Sequence, residues 1–113
     1  MQIINKPIKL NDLKQMAQLK FGNLVKAVID IDQKIICLNA ELHADEEAQL
    51  IRNGSKQKDL WGINLYPEKF NSRDFIEFDS MINLRPSQQN LSRGIESKKT
   101  QQQIRQIINQ LIV

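Results

Sequence analysis

Two extended apolar segments constrain the fold of this chain more than any other feature: "LVKAVIDI" at residues 24–31 and "KIICLNAEL" at residues 34–42. Both are rich in β-branched residues, which favour β-strands. The link "DQK" between them is too short for anything but a tight reversal of the chain. The two segments are therefore predicted to form a hairpin of antiparallel strands.

Helix and strand patterns alternate around this hairpin. Helices are predicted over residues 11–20 in "NDLKQMAQLKFG", over 44–54 in "ADEEAQLIRNG" and over 97–113 in "SKKTQQQIRQIINQLIV". Two further strands are predicted in "LWGINLYP" at 60–67 and "FIEFDSMINLRP" at 75–86, each ended by a proline that cannot continue a ladder. The order α-β-β-α-β-β-α predicts an α+β fold, with a four-stranded antiparallel sheet and helices on one face.

Length and composition indicate a single domain, residues 1–113, with its own hydrophobic core. The chain is 41% hydrophobic and 26% charged, which is typical of soluble globular proteins. It contains no apolar run long enough for a membrane span and no secretory signal, so we expect a cytoplasmic protein without membrane contact. Its one cysteine, Cys37, excludes an internal disulfide and a cysteine zinc cluster.

The net charge of +3 is too small to indicate a nucleic-acid-binding protein by itself. Basic residues gather in the first and last segments, whereas the strongest acidic run lies between them at residues 41–47. The two ends could share a weakly basic side, although solvated lysines on helix faces are the simpler interpretation. Nucleic acid is therefore a weakly supported partner.

Alternation along the four predicted strands sorts the side chains onto two faces of the sheet. One face is almost wholly apolar and should meet the helices. The other is rich in asparagine and aspartate, which are poor strand formers. These polar side chains either solvate the sheet and pair across strands, which we favour, or line a groove that binds a ligand. The candidate polar-face site consists of Glu41, His43, Asn64, Tyr66, Asp79, Asn83 and Arg85.

The stretch "ELHADEE" at residues 41–47 surrounds the only histidine with four carboxylates. The three carboxylates at 45–47 are expected to begin a helix, where negative charge stabilises the positive end. Glu41 and His43 are expected to project from the preceding strand onto the same face, and such a pair suits acid or base chemistry. A second histidine at zinc-binding spacing is lacking, and no glycine-rich phosphate loop is present, so neither a metal nor a cofactor is predicted.

The stretch "NLRPSQQNLSRG", which follows the last predicted strand, has no apolar period but many hydrogen-bonding side chains. Such a loop is either tied down by its own side chains or forms a binding site. Its candidate ligand-binding residues are Ser87, Asn90 and Arg93, because arginine can hold a phosphate or a carboxylate. The loop is therefore a second candidate site.

A resemblance is carried by the stretches "ELHADEEAQLIRNGSKQKDLWGINLYPE" and "IEFDSMINLRPSQQNLSRGI", with "GSKQKDLWG" and "INLRPSQ" as their most specific strings. They resemble a family of short bacterial and archaeal proteins, notably cyanobacterial ones, that is an uncharacterised domain of unknown function. Relatives read Gly-Gly-Glu-Leu-His where this chain has "NAELH", so Asn39 and Ala40 depart from the pattern. The resemblance covers nearly the whole chain and implies a complete stand-alone protein, but no activity.

Three functional hypotheses follow. The first is a small binding or interaction module with a polar sheet face. The second is a small metal-independent ribonuclease of the toxin kind, with Glu41 as base, His43 as acid and Arg85 as phosphate ligand, so whether the chain is an enzyme stays open. The third is a structural subunit that forms a homodimer through the last helix, whose apolar end is costly in water unless it packs on its own sheet or on a partner.

Overall fold

The computed structural model describes residues 1–113 and contains one antiparallel sheet and three α-helices. The strands are β1 (Gln2–Ile4), β2 (Val25–Asp30), β3 (Ile35–Leu38), β4 (Leu60–Leu65) and β5 (Ile76–Glu77). The helices are α1 (Leu10–Lys20), α2 (His43–Arg52) and α3 (Lys98–Leu111). None of these helices is both long and apolar enough to cross a membrane.

The strands lie in the order β1-β3-β2-β4-β5, and every neighbouring pair is antiparallel. The predicted hairpin is confirmed as β2 and β3, with Ile29 opposite Ile36. Asp30 closes the hairpin, because its carboxylate accepts the backbone N–H groups of Asp32 and Gln33, each at 2.9 Å. The segment with the strongest strand signal therefore forms the centre of the sheet.

The α+β class is confirmed, but the sheet has five strands rather than four, and the chain begins with a strand rather than a helix. β1 pairs with β3, where Ile4 lies opposite Ile36. A strand of three residues has too few positions to show an alternating pattern, and its partner is distant in sequence. The observed order is therefore β-α-β-β-α-β-β-α.

The predicted strand over residues 75–86 is wrong beyond its first residues. β5 ends after Glu77, and 3-10 helical turns follow it, the first at Met81–Asn83. Ser80 begins this turn, because its hydroxyl accepts the backbone N–H of Ile82 at 3.3 Å. The serine side chain thus gives the backbone an alternative to a sheet ladder.

Helices cover both faces of the sheet, so the prediction of helices on one face is wrong. α1 and α3 pack on the face that contains Ala27 and Ile29 of β2, where most of the hydrophobic core lies. α2 packs on the opposite face, where its Leu50 joins Val28 and Cys37 in a second apolar cluster. The second face is polar toward its ends but apolar in the middle, and an amphipathic helix buries the apolar part.

Gly62 of β4 lets the chain after β5 approach this second face. A Cβ atom at residue 62 would lie 2.6 Å from the Cβ of Ser80 and 3.1 Å from the side chain of Ile82. Only glycine therefore leaves room for the turn at Met81–Asn83, which crosses over β4 at this point.

The apolar stripe of α3 lies in the core of its own chain. Ile104 and Ile108 are fully buried, and Leu111 is almost so. The chain end is held in place as well, since the backbone N–H of Val113 donates to the carbonyl of Ile8 at 2.9 Å. The stripe is thus not free to form a homodimer interface, and a homodimer stays a prediction that requires another surface.

Candidate functional site

The structure separates Glu41 from His43. β3 ends at Leu38, and Asn39 then adopts a left-handed backbone conformation, with a φ of 73°, that turns the chain out of the sheet. Glu41 lies exposed in the turn that follows, whereas His43 is buried as the first residue of α2. The prediction that both side chains project from one strand is therefore wrong, because the strand ends before either residue.

Asn83 and Asn90 hold the segment after β5 to the rest of the chain. The fully buried Asn83 side chain accepts the N–H of Gly62 at 2.8 Å and donates to the carbonyl of the same residue at 3.0 Å. Asn90 donates to the carbonyls of Asn83 and Gly94, each at 2.7 Å. Both side chains therefore serve the fold, while Ser87 lies exposed on the same loop.

Arg85 is committed to contacts within the chain. Its guanidinium is buried and donates to the carbonyls of Gln57 at 2.9 Å and Ile82 at 3.0 Å, and to the carbonyl of Leu60. Its charge faces Glu47 at 3.5 Å and lies over the ring of Trp61, 4.7 Å from the ring centre. A further N–H donates to the side-chain oxygen of Gln88 at 3.3 Å. All five N–H donors of the guanidinium are therefore directed within the chain, and none is directed at a phosphate as the ribonuclease hypothesis requires.

A row of polar side chains crosses the sheet from β2 to β5. Lys26 lies opposite Asn64, which in turn lies opposite Glu77. The Asn64 amide donates to the Glu77 carboxylate at 2.9 Å, and the Tyr66 hydroxyl donates to the same oxygen at 3.1 Å. This row belongs to the predicted polar face, and its burial varies: Asn64 is buried, Lys26 is half-buried and Glu77 is exposed.

The loop after β5 adds charge to this row, because Arg93 Nε lies 2.7 Å from the Asp79 carboxylate. Five of the predicted site residues lie in or beside the surface formed by this row and the loop after β5: His43, Asn64, Tyr66, Asp79 and Arg93. The predicted residues that lie outside it are Glu41, Asn83, Arg85, Ser87 and Asn90.

A small cavity lies where the first residues of α2 meet β2 and the loop after β5. We call it the His43 pocket. Its volume is about 190 Å³. Its walls are formed by Lys26, Leu42, His43, Ala44, Ser80, Met81, Ile82 and Arg93. The pocket thus combines two cations and a histidine with an apolar rim.

His43 presents a free acceptor in this pocket. Its Nε2 atom lies 2.8 Å from the carbonyl of Ile63. A carbonyl can only accept, so the ring proton sits on Nε2 and the Nδ1 lone pair is left free. Burial lowers the pKa of His43, and the charges of Lys26 and Arg93 act in the same direction, against the Ile63 carbonyl and Asp79. The ring is therefore neutral near pH 7.

The start of α2 supplies donors beside this acceptor. The backbone N–H groups of His43 and Ala44 belong to the first turn, where no intrahelical acceptor exists. Leu42 precedes them without a side-chain cap, and neither group has another partner within the chain. The pocket can therefore accept an anionic group at the positive end of the helix. No group of three or more His, Cys, Asp or Glu side chains in the structure could hold a metal ion.

We expect an NMR titration of the ring protons of the only histidine, His43, to give a pKa below 6.5. Folding then excludes a proton that the unfolded chain binds. The stability contributed by His43 is therefore complete above pH 6.5 and is lost as the pH falls below that value. His43→Gln has no titrating ring and should lose this part of the pH dependence. A pKa at or above 6.5 would contradict the buried neutral state.

Glu46, which the sequence places among the carboxylates that begin a helix, is a buried acid in the structure. Its side chain is fully buried beside Cys37, and one carboxyl oxygen accepts the backbone N–H of Ala40 at 3.0 Å. The other oxygen has no partner. Burial raises the pKa of Glu46 to about 9. Helical spacing could have indicated this position, since His43, Glu46 and Leu50 share one side of α2.

The chain matches the family model "Protein of unknown function (DUF5674)" over residues 2–111. The resemblance to an uncharacterised family is thereby confirmed over nearly the whole chain. Among curated proteins and solved structures, none matches.

Proposed function

Because the chain belongs to the family "Protein of unknown function (DUF5674)", we propose a function from its own site: a binding module that holds a small anionic ligand in the His43 pocket. The ligand carries a carboxylate or a phosphate with an N–H or O–H donor next to it. The observation that carries this proposal is the free Nδ1 acceptor of His43 beside the unpaired N–H groups of the α2 terminus.

The two halves of the pocket select two parts of the ligand. The N–H groups of His43 and Ala44, together with Lys26, can donate to an anionic oxygen. The neutral His43 ring repels that oxygen but can accept a hydrogen bond from a neighbouring hydroxyl or amide. A hydroxy acid or a related small anion therefore fits this donor and acceptor pattern.

Lys26 provides the charge that is free for the ligand. Arg93 also lines the pocket, but its charge is shared with Asp79 at 2.7 Å. Lys26 makes no ion pair, and its ammonium lies 5.6 Å from the ring centre of Phe21. A ligand anion would thus gain its main electrostatic stabilisation from Lys26 and the α2 terminus.

Binding is favoured over the ribonuclease hypothesis by the positions of the three residues that the reaction would need. Glu41 is exposed and makes no hydrogen bond with His43. His43 contacts the carbonyl of Ile63, whereas Arg85 contacts that of Leu60, about 10 Å away along β4 at the usual rise of a strand. Base, acid and phosphate ligand therefore do not meet.

Glycolate and acetate test the proposal, because they differ only in the hydroxyl that would donate to Nδ1. We expect both to shift the His43 ring signals in NMR titrations, and glycolate to bind roughly threefold to tenfold more tightly, as one added hydrogen bond predicts. Lys26→Met should weaken both ligands by about tenfold.

Lys56→Met is the matched control, since it removes an exposed lysine outside the pocket and should leave both affinities unchanged. Equal binding by the wild type and Lys26→Met would refute the proposal. So would the lack of any His43 shift with glycolate, acetate and inorganic phosphate.

A further inference from the structure

We propose that a groove along α3, on the opposite side of the sheet from the His43 pocket, binds the phosphodiester backbone of single-stranded nucleic acid. The residues that define this α3 groove are Arg73, Lys98, Gln101, Gln102, Arg105 and Asn109. The proposal goes beyond the small-ligand function, because the two sites share no residue.

The α3 groove contains the unpaired arginines of the chain. The chain has five arginines, and three of them donate within the chain: Arg52 to Gln49, Arg85 to its carbonyls, and Arg93 to Asp79. The remaining two, Arg73 and Arg105, form neither a hydrogen bond nor an ion pair, and both line the same groove. Their charge is therefore available to a partner from outside.

Negative charge is lacking along this surface. Helix α3 contains no aspartate or glutamate, although it has two lysines and one arginine. The residues that line the groove include no acidic side chain either. The small net charge of the whole chain thus conceals a local basic strip, and such a strip is the electrostatic footprint of nucleic-acid binding.

The spacing of these groups indicates a polymer rather than a single phosphate. Lys98, Gln102, Arg105 and Asn109 lie on one side of α3 and span about 16 Å at the rise of an α-helix. Two depressions of about 330 and 290 Å³ lie along this side, and they adjoin each other, since Arg73 and Arg105 line both. Successive phosphates of one strand can follow such a groove, whereas a single phosphate would need converging donors.

Arg105 is held in place before any ligand arrives. Its guanidinium lies over the ring of Phe78, 5.1 Å from the ring centre. This contact fixes the planar donor group, which matches two oxygens of a phosphate. The neighbouring glutamine and asparagine amides can both donate and accept, so they suit sugar and base-edge contacts.

Fluorescence anisotropy with a short, labelled, mixed-sequence single-stranded RNA, and with DNA of the same sequence, tests this proposal. With three phosphates neutralised by Arg73, Lys98 and Arg105, the slope of log K against log salt should be about −2. Arg73→Met and Arg105→Met should each bind roughly fivefold more weakly at low salt and reduce the magnitude of that slope by about 0.7.

Arg52→Met is the matched control, because Arg52 is an exposed arginine at the end of α2 and contributes nothing to the groove. Lys26→Met should also leave RNA binding unchanged, which separates this surface from the His43 pocket. The proposal is overturned by no binding at low salt, by equal weakening in Arg52→Met, or by RNA binding that Arg73→Met and Arg105→Met both leave unchanged. Arg73 is exposed, so Arg73→Met tests the groove even if Arg105→Met disturbs the packing on Phe78.

Discussion

Arg85→Met is expected to lower the free energy of unfolding by about 3–5 kcal/mol, as the loss of one partner from a buried ion pair generally does. The substitution leaves the Glu47 carboxylate without its cation and removes the donors for the carbonyls of Gln57, Leu60 and Ile82. Because a small domain is stable by only about 5–15 kcal/mol, a loss of this size removes a large share of the total stability. Urea unfolding followed by circular dichroism measures the change.

Arg93→Met is the control for this substitution. The distance from Arg93 to Asp79 is 2.7 Å, shorter than the 3.5 Å from Arg85 to Glu47. However, both members of the shorter pair are about half exposed, and solvated pairs contribute only about 0–1 kcal/mol. We therefore expect the longer but buried pair, Arg85 and Glu47, to contribute more to the free energy of unfolding. Similar losses in the two variants would contradict the structural role of Arg85.

Glu46→Gln is expected to raise the free energy of unfolding at pH 7 by roughly 2–4 kcal/mol, because a shift of one pKa unit corresponds to about 1.4 kcal/mol. Burial raises the pKa of Glu46 from 4.5 to about 9. Between these values the folded chain keeps a proton that the unfolded chain has lost. Stability therefore falls as the pH rises through this range, and glutamine, which carries no charge, removes the penalty.

The test for Glu46 is urea unfolding between pH 7 and pH 8, where His43 is largely neutral in both the folded and the unfolded chain. The window also stays below the range in which Cys37 titrates, because burial raises the pKa of this thiol from 9.0 to about 12. The wild type should lose about 1.4 kcal/mol per pH unit in this window, and Glu46→Gln should be flat. Glu41→Gln is the matched control, since Glu41 is an exposed glutamate in the turn before α2, and it should change stability by less than about 0.5 kcal/mol. A wild type whose stability is constant over this window would contradict a buried, protonated Glu46.

The chain uses two of its predicted strand-face residues to complete its own backbone contacts. Asn83 and Arg85 were candidates for ligand binding because such residues are unusual in strands. In the structure they serve backbone groups that no neighbouring strand reaches, at Gly62 and Leu60. The many asparagine and aspartate residues in this segment therefore indicated where regular strand pairing ends. Of the candidate residues predicted on the strand face, His43 is the one in the proposed small-ligand site, and the strand pattern could not indicate its position at the start of α2.

Local periodicity was sufficient for the features that depend on neighbouring residues. The hairpin of β2 and β3, the three helices and the apolar stripe of α3 could all be predicted, because alternation and helical spacing report which side of one element faces apolar surroundings. The family could also be identified from strings such as "GSKQKDLWG". The α+β class could be predicted from the sequence because these local patterns show which segments are helices and which are strands.

Tertiary structure alone decided the features that depend on distant partners. Periodicity shows that a face is to be covered, but it does not show which element covers it. The packing of α2 on the second face buried Glu46 and placed His43 at a pocket, and the space above Gly62 turned the end of the predicted last strand into the turn at Met81–Asn83. Side chains that are distant in sequence come together only in the folded structure. The candidate site therefore depends on contacts between distant parts of the chain, and no local sequence pattern shows which residues make those contacts.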